Sequence, residues 1–282
     1  MRKAILLMVL STLSFSVMQL IVKLSGDGIP TMEKVFVRNL VTLFIGLFLL
    51  MARKEPFFGH SGNRLALLGR AVLGFIGVAG YFYATTNMNV ADASLLHRSS
   101  PFFVILFSAL FLKNKLRSFQ VIALLLACGG AVLVINPSFE VNMVPALVGA
   151  LSAAGAGGAY TIINYLKGKE SNATIIFTFS LLSCLLSIVM SGGSFVVPQG
   201  IQWVMLLGIG VFAAIGQIAL TQAYKMTEPG SVSIINYLGI IFSAILGFFF
   251  LDELVSTRSM VGMVLIFAAA LILYFRKEKK TA

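Results

Sequence analysis

Residues 89–115 read NVADASLLHRSSPFFVILFSALFLKNK, and residues 230–254 read GSVSIINYLGIIFSAILGFFFLDEL. Each opens on small and polar residues, runs through a continuous apolar stretch and closes on a polar or charged pair. A helix of roughly twenty mostly apolar residues crosses the hydrocarbon core of a bilayer, so each stretch is long enough to span one. Sliding the chain by 139 positions lays Phe111-Leu112 on Phe250-Leu251, Gly77 on Gly216, Ala84 on Ala223 and Ser94 on Ser233.

Working outward from this pair, apolar runs of spanning length occur at roughly 4–23, 34–52, 69–88, 93–112, 119–136, 143–163, 173–191, 202–223, 231–251 and 258–275. Spans three to five fall on spans eight to ten without a gap. Five spans per repeat is an odd number, so the second half enters the membrane with the opposite orientation. The expected fold is an all-α integral membrane protein of ten transmembrane helices, built as two inverted five-helix repeats over residues 1–137 and 138–282. Inverted repeats recur in secondary transporters, with the substrate held near the midplane between them.

Composition points the same way. Of 282 residues, 59% are hydrophobic and 11% charged, with a mean hydropathy of +0.97. A soluble domain carries roughly a quarter charged residues. A β-barrel is excluded because its strands alternate apolar and polar residues, whereas these runs are continuous. The formal net charge of +11 does not read as a nucleic-acid surface: the Lys and Arg residues sit at the ends of apolar runs, not on one soluble face. Cys128 and Cys184 lie inside apolar runs and imply neither a disulfide framework nor a metal site. Arg2-Lys3 and the run behind them imitate a secretory signal, but the run lacks a clear cleavage site and reads as the first span.

The basic residues also set an orientation. With the N-terminus cytoplasmic, only Lys23, Lys34 and Arg258 fall outside and Arg38 and Arg98 within spans, leaving the other sixteen of the 21 Lys and Arg inside. That segregation is the positive-inside pattern for ten spans. The expected location is a bacterial-type inner (plasma) membrane, crossed many times, with both termini cytoplasmic.

The two quoted stretches resemble the repeat signature of the drug/metabolite transporter superfamily, specifically its EamA-type members. Arg38 in FVRNLV (36–41) matches an arginine common at that place in the second helix. The resemblance covers nearly the whole chain. It implies a ten-helix inverted-repeat carrier with a central cavity lined mainly by spans 1, 3, 4, 6, 8 and 9. The first repeat departs from the usual Phe-Leu-Gly-Glu, reading Lys113-Asn114, so no role for a matched acidic pair is implied. Such carriers take amino acids, amines, nucleotides, vitamins and drugs, which fixes mechanism better than substrate.

All ten Asp and Glu residues lie in loops or at helix ends, and a membrane carboxylate is what a proton or a cationic substrate usually needs. The fourth span carries Ser94, His97, Arg98 and Pro101, and the ninth carries Ser233, Asn236 and Tyr237 at repeat-related places. Arg98 is the leading candidate for substrate binding: its planar fork suits a carboxylate or phosphate. The competing reading has it reaching the outer headgroups or satisfying helix carbonyls. His97 is a candidate for a coupling proton or a packing residue. Arg38, near the start of the second span, either reaches outward or acts as a gate or substrate contact. Arg70 reads as an end marker of the third span. Tyr81, Tyr83, Tyr160, Asn164, Gln217, Thr221 and Gln222 are candidates to line the cavity or to bond neighbouring helices. Glycines at 74, 77 and 80 and at 149, 155, 157 and 158 are close-packing positions, not phosphate loops.

The expected function is therefore secondary active transport of small polar metabolites (carboxylate-bearing, zwitterionic or phosphorylated) by alternating access. The alternative is an exporter of amphipathic neutral or cationic compounds. A membrane enzyme is disfavoured, because Asp252-Glu253 is the only acidic pair and has no His beside it. No ATP-binding motif, cofactor or metal is expected. The expected partners are a small-molecule substrate and membrane lipid, without nucleic acid; a homodimer is compatible with the chain.

Overall fold

The computed structural model describes residues 2–26, 28–87, 90–115, 117–135, 143–251 and 256–275. Its helices are α1 (Arg2–Leu24), α2 (Thr31–Arg53), α3 (Arg64–Asn87), α4 (Val90–His97), α5 (Ser100–Leu112), α6 (Ser118–Ile135), α7 (Met143–Tyr165), α8 (Asn172–Ser191), α9 (Ile201–Met226), α10 (Pro229–Ser233), α11 (Leu238–Leu251) and α12 (Thr257–Phe275). Short 3₁₀ turns at Ser61–Asn63 and Ile234–Tyr237 lead into α3 and join α10 to α11. The described residues contain no strand. Ten segments are long and apolar enough to cross a membrane: α4 with α5 is the fourth, and α10, its 3₁₀ turn and α11 the ninth. Helices answer the requirement that every backbone polar group in hydrocarbon be bonded within its own segment. Asp252-Glu253 and the 137/138 repeat boundary lie outside the described residues.

Several helices begin earlier than hydropathy alone marks. α2 starts at Thr31, behind Pro30, and α3 at Arg64. A helix continues into the headgroup layer as long as its backbone bonds do, whereas a hydropathy window registers only the apolar part. α8 is capped by Ser171, whose Oγ accepts the Thr174 N–H at 3.0 Å, and ends on Gly192 at φ +58°.

The dominant pairings are α1 with α9, α3 with α7, α2 with α8 and α6 with α12. Small residues set their closeness, as expected where lipid tails compete equally for apolar side chains. A Cβ on Gly155 would meet Leu73 O at 2.8 Å, and one on Gly77 would meet Ala156 N at 3.2 Å. Gly130 and Gly262 face each other across the α6–α12 seam, where added Cβ atoms would lie 2.5 and 2.6 Å from the opposite carbonyl oxygens. Phe48, Phe111, Val189 and Phe249 are exposed on the outside of the bundle, a surface that fits hydrocarbon.

Polar clasps secure the two ends. At the end where α1 begins, hereafter the N-terminal end, Glu170 Oε1 accepts the His60 N–H at 2.8 Å and Asn63 Nδ2 at 2.8 Å. Lys225 Nζ donates to Glu170 O at 2.6 Å. Arg117 pairs with Glu228 at 3.3 Å, and Gln120 Nε2 donates to Ser231 Oγ at 2.8 Å, seating α10 against the start of α6. At the far end, Glu33 Oε2 accepts the Val196 N–H at 2.9 Å, and Phe36 meets Phe195 edge-on.

Candidate functional site

The fourth and ninth spans are broken inside the bundle. α4 ends at His97, Arg98 and Ser99 form a turn, and α5 resumes at Ser100. Pro101 accounts for this: it has no N–H to offer the His97 carbonyl four residues back, and its ring crowds that carbonyl. The turn tightens instead, with the Ser99 N–H on Leu96 O at 3.0 Å and Ser99 Oγ on the same oxygen at 2.6 Å. In the ninth span the 3₁₀ turn covers Ile234–Tyr237, so His97-Arg98 and Asn236-Tyr237 occupy the two breaks. Helix breaks of this kind are tolerated at membrane depth where they face protein or a cavity.

On the far side of the middle, Tyr81 OH lies 3.1 Å from Ser94 Oγ, and the Tyr81 ring packs on that of His97 with centroids 4.5 Å apart. His97 Nδ1 is 2.7 Å from Ser152 Oγ on α7. Arg98 points into the bundle, with Nη1 3.3 Å from where a Gly239 Cβ would stand and Ser16 of α1 close to the same point. Ser16 Oγ donates to Gly239 O at 3.1 Å, joining α1 to the start of α11.

On the N-terminal side, the Tyr160 and Tyr224 rings stack at 4.9 Å and 17°. Asn236 Nδ2 reaches Tyr224 OH at 3.5 Å, and Asn164 Nδ2 holds the carbonyls of Tyr224 and Thr227 at 2.6 and 2.9 Å. Arg38 and Arg70 enter from opposite ends. Arg38 lies seven residues into α2, about 10 Å along its axis, with its guanidinium over the Phe15 ring at 5.7 Å. Arg70 is 1% exposed and lies over Phe179 at 4.2 Å.

Arg38 and Arg98 meet neighbouring residues of α1, Phe15 under the one and Ser16 beside the other. Among the described residues none of the three arginines has a carboxylate partner. Arg38 Nε, Arg70 Nε and Arg70 Nη1 are buried without any hydrogen bond. An arginine at the centre of a bilayer costs at least about 2.5 kcal/mol, and a cation–π contact returns only about 0.5–2 kcal/mol.

Access is unequal. Residues 229–235 are all buried, with α10 packed on α5, whereas residues 94–99 are all half-buried. The break that holds Arg98 is thus the more open of the two.

The structure brings Ser94, His97, Tyr81 and Arg98 together on one side of the middle, and Asn236 and Tyr160 around Tyr224 on the other. Tyr237, 2% exposed, adjoins Cys128 and the field of Arg98. Gln217 is buried and bonds Thr221 of its own helix at 3.3 Å. Gln222 accepts from Asn172 Nδ2 at the N-terminal end, apart from the arginines. Tyr83 is exposed at 43%. Arg70, expected as an end marker, is buried inside the bundle, because α3 starts six residues before it. Arg38 turns inward over Phe15, not outward. Ser152 and Tyr224 carry bonds that sequence reasoning missed; the Ser and Tyr residues among the small residues of spans six and eight were the available signal.

One family model, the EamA-like transporter family, matches residues 2–136 and again 143–275. Pseudopaline exporter CntI of Pseudomonas aeruginosa is 36% identical over 280 residues, covering 99% of this chain and 98% of that protein. An uncharacterized transporter of Helicobacter pylori is 28% identical over 95% of this chain. Human solute carrier family 35 member G1 is 27% identical over 92% of this chain and 75% of its own length. A protein of known crystal structure superposes with a TM-score of 0.85 over 97% of this chain and 98% of its own, at 19% identity, a likeness of fold alone. Ten apolar spans, two broken helices meeting around an arginine, and a family match over both halves lead to one conclusion: the chain is a membrane transporter and belongs to the EamA-like transporter family.

Proposed function

We propose that the protein is a secondary carrier that exports a small carboxylate- or phosphate-bearing metabolite by alternating access, with Arg98 as its anion contact. The observation that carries this reading is that Arg38, Arg70 and Arg98 all turn into the bundle, over Phe15, over Phe179 and beside Gly239, with no carboxylate beside them among the described residues. Such an interior repels a cation and lacks only an anion. The pseudopaline exporter, alike over its full length, supports the direction.

The two halves act as inverted repeats in this reading. Exchanging each span for its counterpart turns the α1–α9 pair into α7–α3 and returns the α2–α8 and α6–α12 pairs to themselves, matching the dominant pairings. The family model's match to each half supports the same division. The basic residues favour cytoplasmic termini in an inner membrane, so the buried α10 side faces the cytoplasm and the Arg98 side faces out.

Thermal unfolding of the detergent-purified chain against amino acids, dicarboxylates, phosphorylated metabolites, vitamins and cationic dyes tests the substrate class, because a ligand stabilises the state it binds. Anionic or zwitterionic compounds are expected to raise the midpoint, and Arg98→Ala to abolish the rise. Stabilisation by hydrophobic cations alone, unchanged in Arg98→Ala, overturns the reading in favour of an exporter of amphipathic cations.

A further inference from the structure

Arg70 is the least expected feature of the interior. Among the fully buried side chains it is one of the largest, at 1% exposure. Its guanidinium runs along α3 towards Gly74, where a Cβ would collide with Nη1, and lies over the Phe179 ring of α8. The glycine makes the room and the ring makes the floor. Nε and Nη1 are buried and unbonded. An arginine has five N–H donors in a rigid fork and no acceptor, so a built-in position with two idle buried nitrogens lacks an acceptor group.

Arg38 repeats the pattern from the other direction, with Phe15 under its guanidinium and its Nε buried and unbonded. A buried positive charge without a counter-charge is stabilised by a bound anion. Aromatic floors supply the fixed, dry geometry in which charge-assisted fork bonds are strongest.

We infer that Arg70, on its Phe179 floor, is a second anion contact, set towards the N-terminal end from Arg98, and that the transported solute carries at least two carboxylate or phosphate groups. One group engages Arg98 and the other Arg70. This rests on the assignment of Arg98 as an anion contact.

The test compares glutarate, with two carboxylates, and glutaramate, of the same length with one carboxylate and one amide, as ligands of the full-length purified protein. Affinities are taken from thermal shifts at matched ionic strength, and the longer pair adipate and adipamate is run alongside. Glutarate or adipate is expected to bind about tenfold more tightly than its monoamide, the worth of one charge-assisted fork. Arg70→Gln is expected to bring the two within about twofold while sparing the monoamide, and Arg98→Gln to weaken both. Gly74→Ala keeps the charge but fills the place of Nη1 and is expected to act as Arg70→Gln does, so the result stands even if Arg70→Gln fails to fold. A diacid preference that survives both variants overturns the second subsite. So does equal binding of diacid and monoamide that still depends on Arg98, and in that case the Arg98 reading stands. No shift from any of the four compounds overturns both.

Discussion

Glu33 and Glu170 make equivalent bonds at opposite ends of the bundle. Glu33, in the first turn of α2, accepts the Val196 N–H ahead of α9; Glu170, just before α8, accepts the His60 N–H ahead of α3. Each carboxylate clasps the turn that leads into a long helix, α9 for Glu33 and α3 for Glu170. Glu170 does more: it also takes Asn63, and through its carbonyl it takes Lys225. Glu170→Ala is expected to lower stability by about 2–3 kcal/mol and Glu33→Ala by about 1.5 kcal/mol, the range for hydrogen bonds to a charged group. Thermal unfolding in detergent measures both, and equal midpoints for Glu170→Ala and the parent would remove the clasp from the account.

The bond between His97 and Ser152 fixes the ring that Tyr81 packs on. Ser152→Ala removes it at the cost of about 1 kcal/mol, or about a fivefold loss of transport, if the ring position matters to the substrate. Ser152→Thr, which restores the hydroxyl, is expected to recover part of that loss in a vesicle uptake assay. Equal rates for parent and Ser152→Ala would make His97 a packing residue only.

Unequal access gives a labelling prediction. In a background with Cys128→Ser and Cys184→Ser, a thiol at Ser94→Cys is expected to react quickly with a membrane-impermeant maleimide. One at Ser233→Cys, fully buried in α10, is expected to stay protected. Equal labelling of the two would show that the resting protein is not closed around α10.

The α6–α12 seam predicts a contrast between neighbours. Gly130→Ala forces a methyl against Gly262 O and is expected to destabilise by about 1–3 kcal/mol, whereas Gly129→Ala meets nothing within 4 Å and is expected to be silent. Melting curves of the two variants, measured together, decide this.

The ten spans were legible in the sequence because bilayer depth and backbone bonding leave a continuous apolar run few other fates. The helix breaks were not, since the polar residues of Leu96–Ser100 and Ile234–Tyr237 fit equally well on the face of an unbroken helix; Pro101 carried the clearest local signal, and for one break alone. The grouping of Ser94, His97 and Arg98 followed from their spacing. Arg70 escaped for a physical reason: near a helix end, an arginine bound for the headgroups and one folded onto Gly74 and Phe179 look alike in one dimension. Gln222 and Asn172, fifty positions apart, meet only because α8 and α9 run antiparallel, so that the start of one lies beside the end of the other.

The uncompensated arginines have an electrical consequence. When access to the interior switches from one face to the other, the charges need not move for the membrane field around them to shift. A full elementary charge crossing the field is worth about 2.3 kcal/mol per 100 mV, and each arginine senses a share of that. A bound dianion cancels most of the charge, so the loaded carrier would turn over almost indifferently to voltage. The empty carrier would feel it fully, making its return the step that membrane potential speeds or stalls.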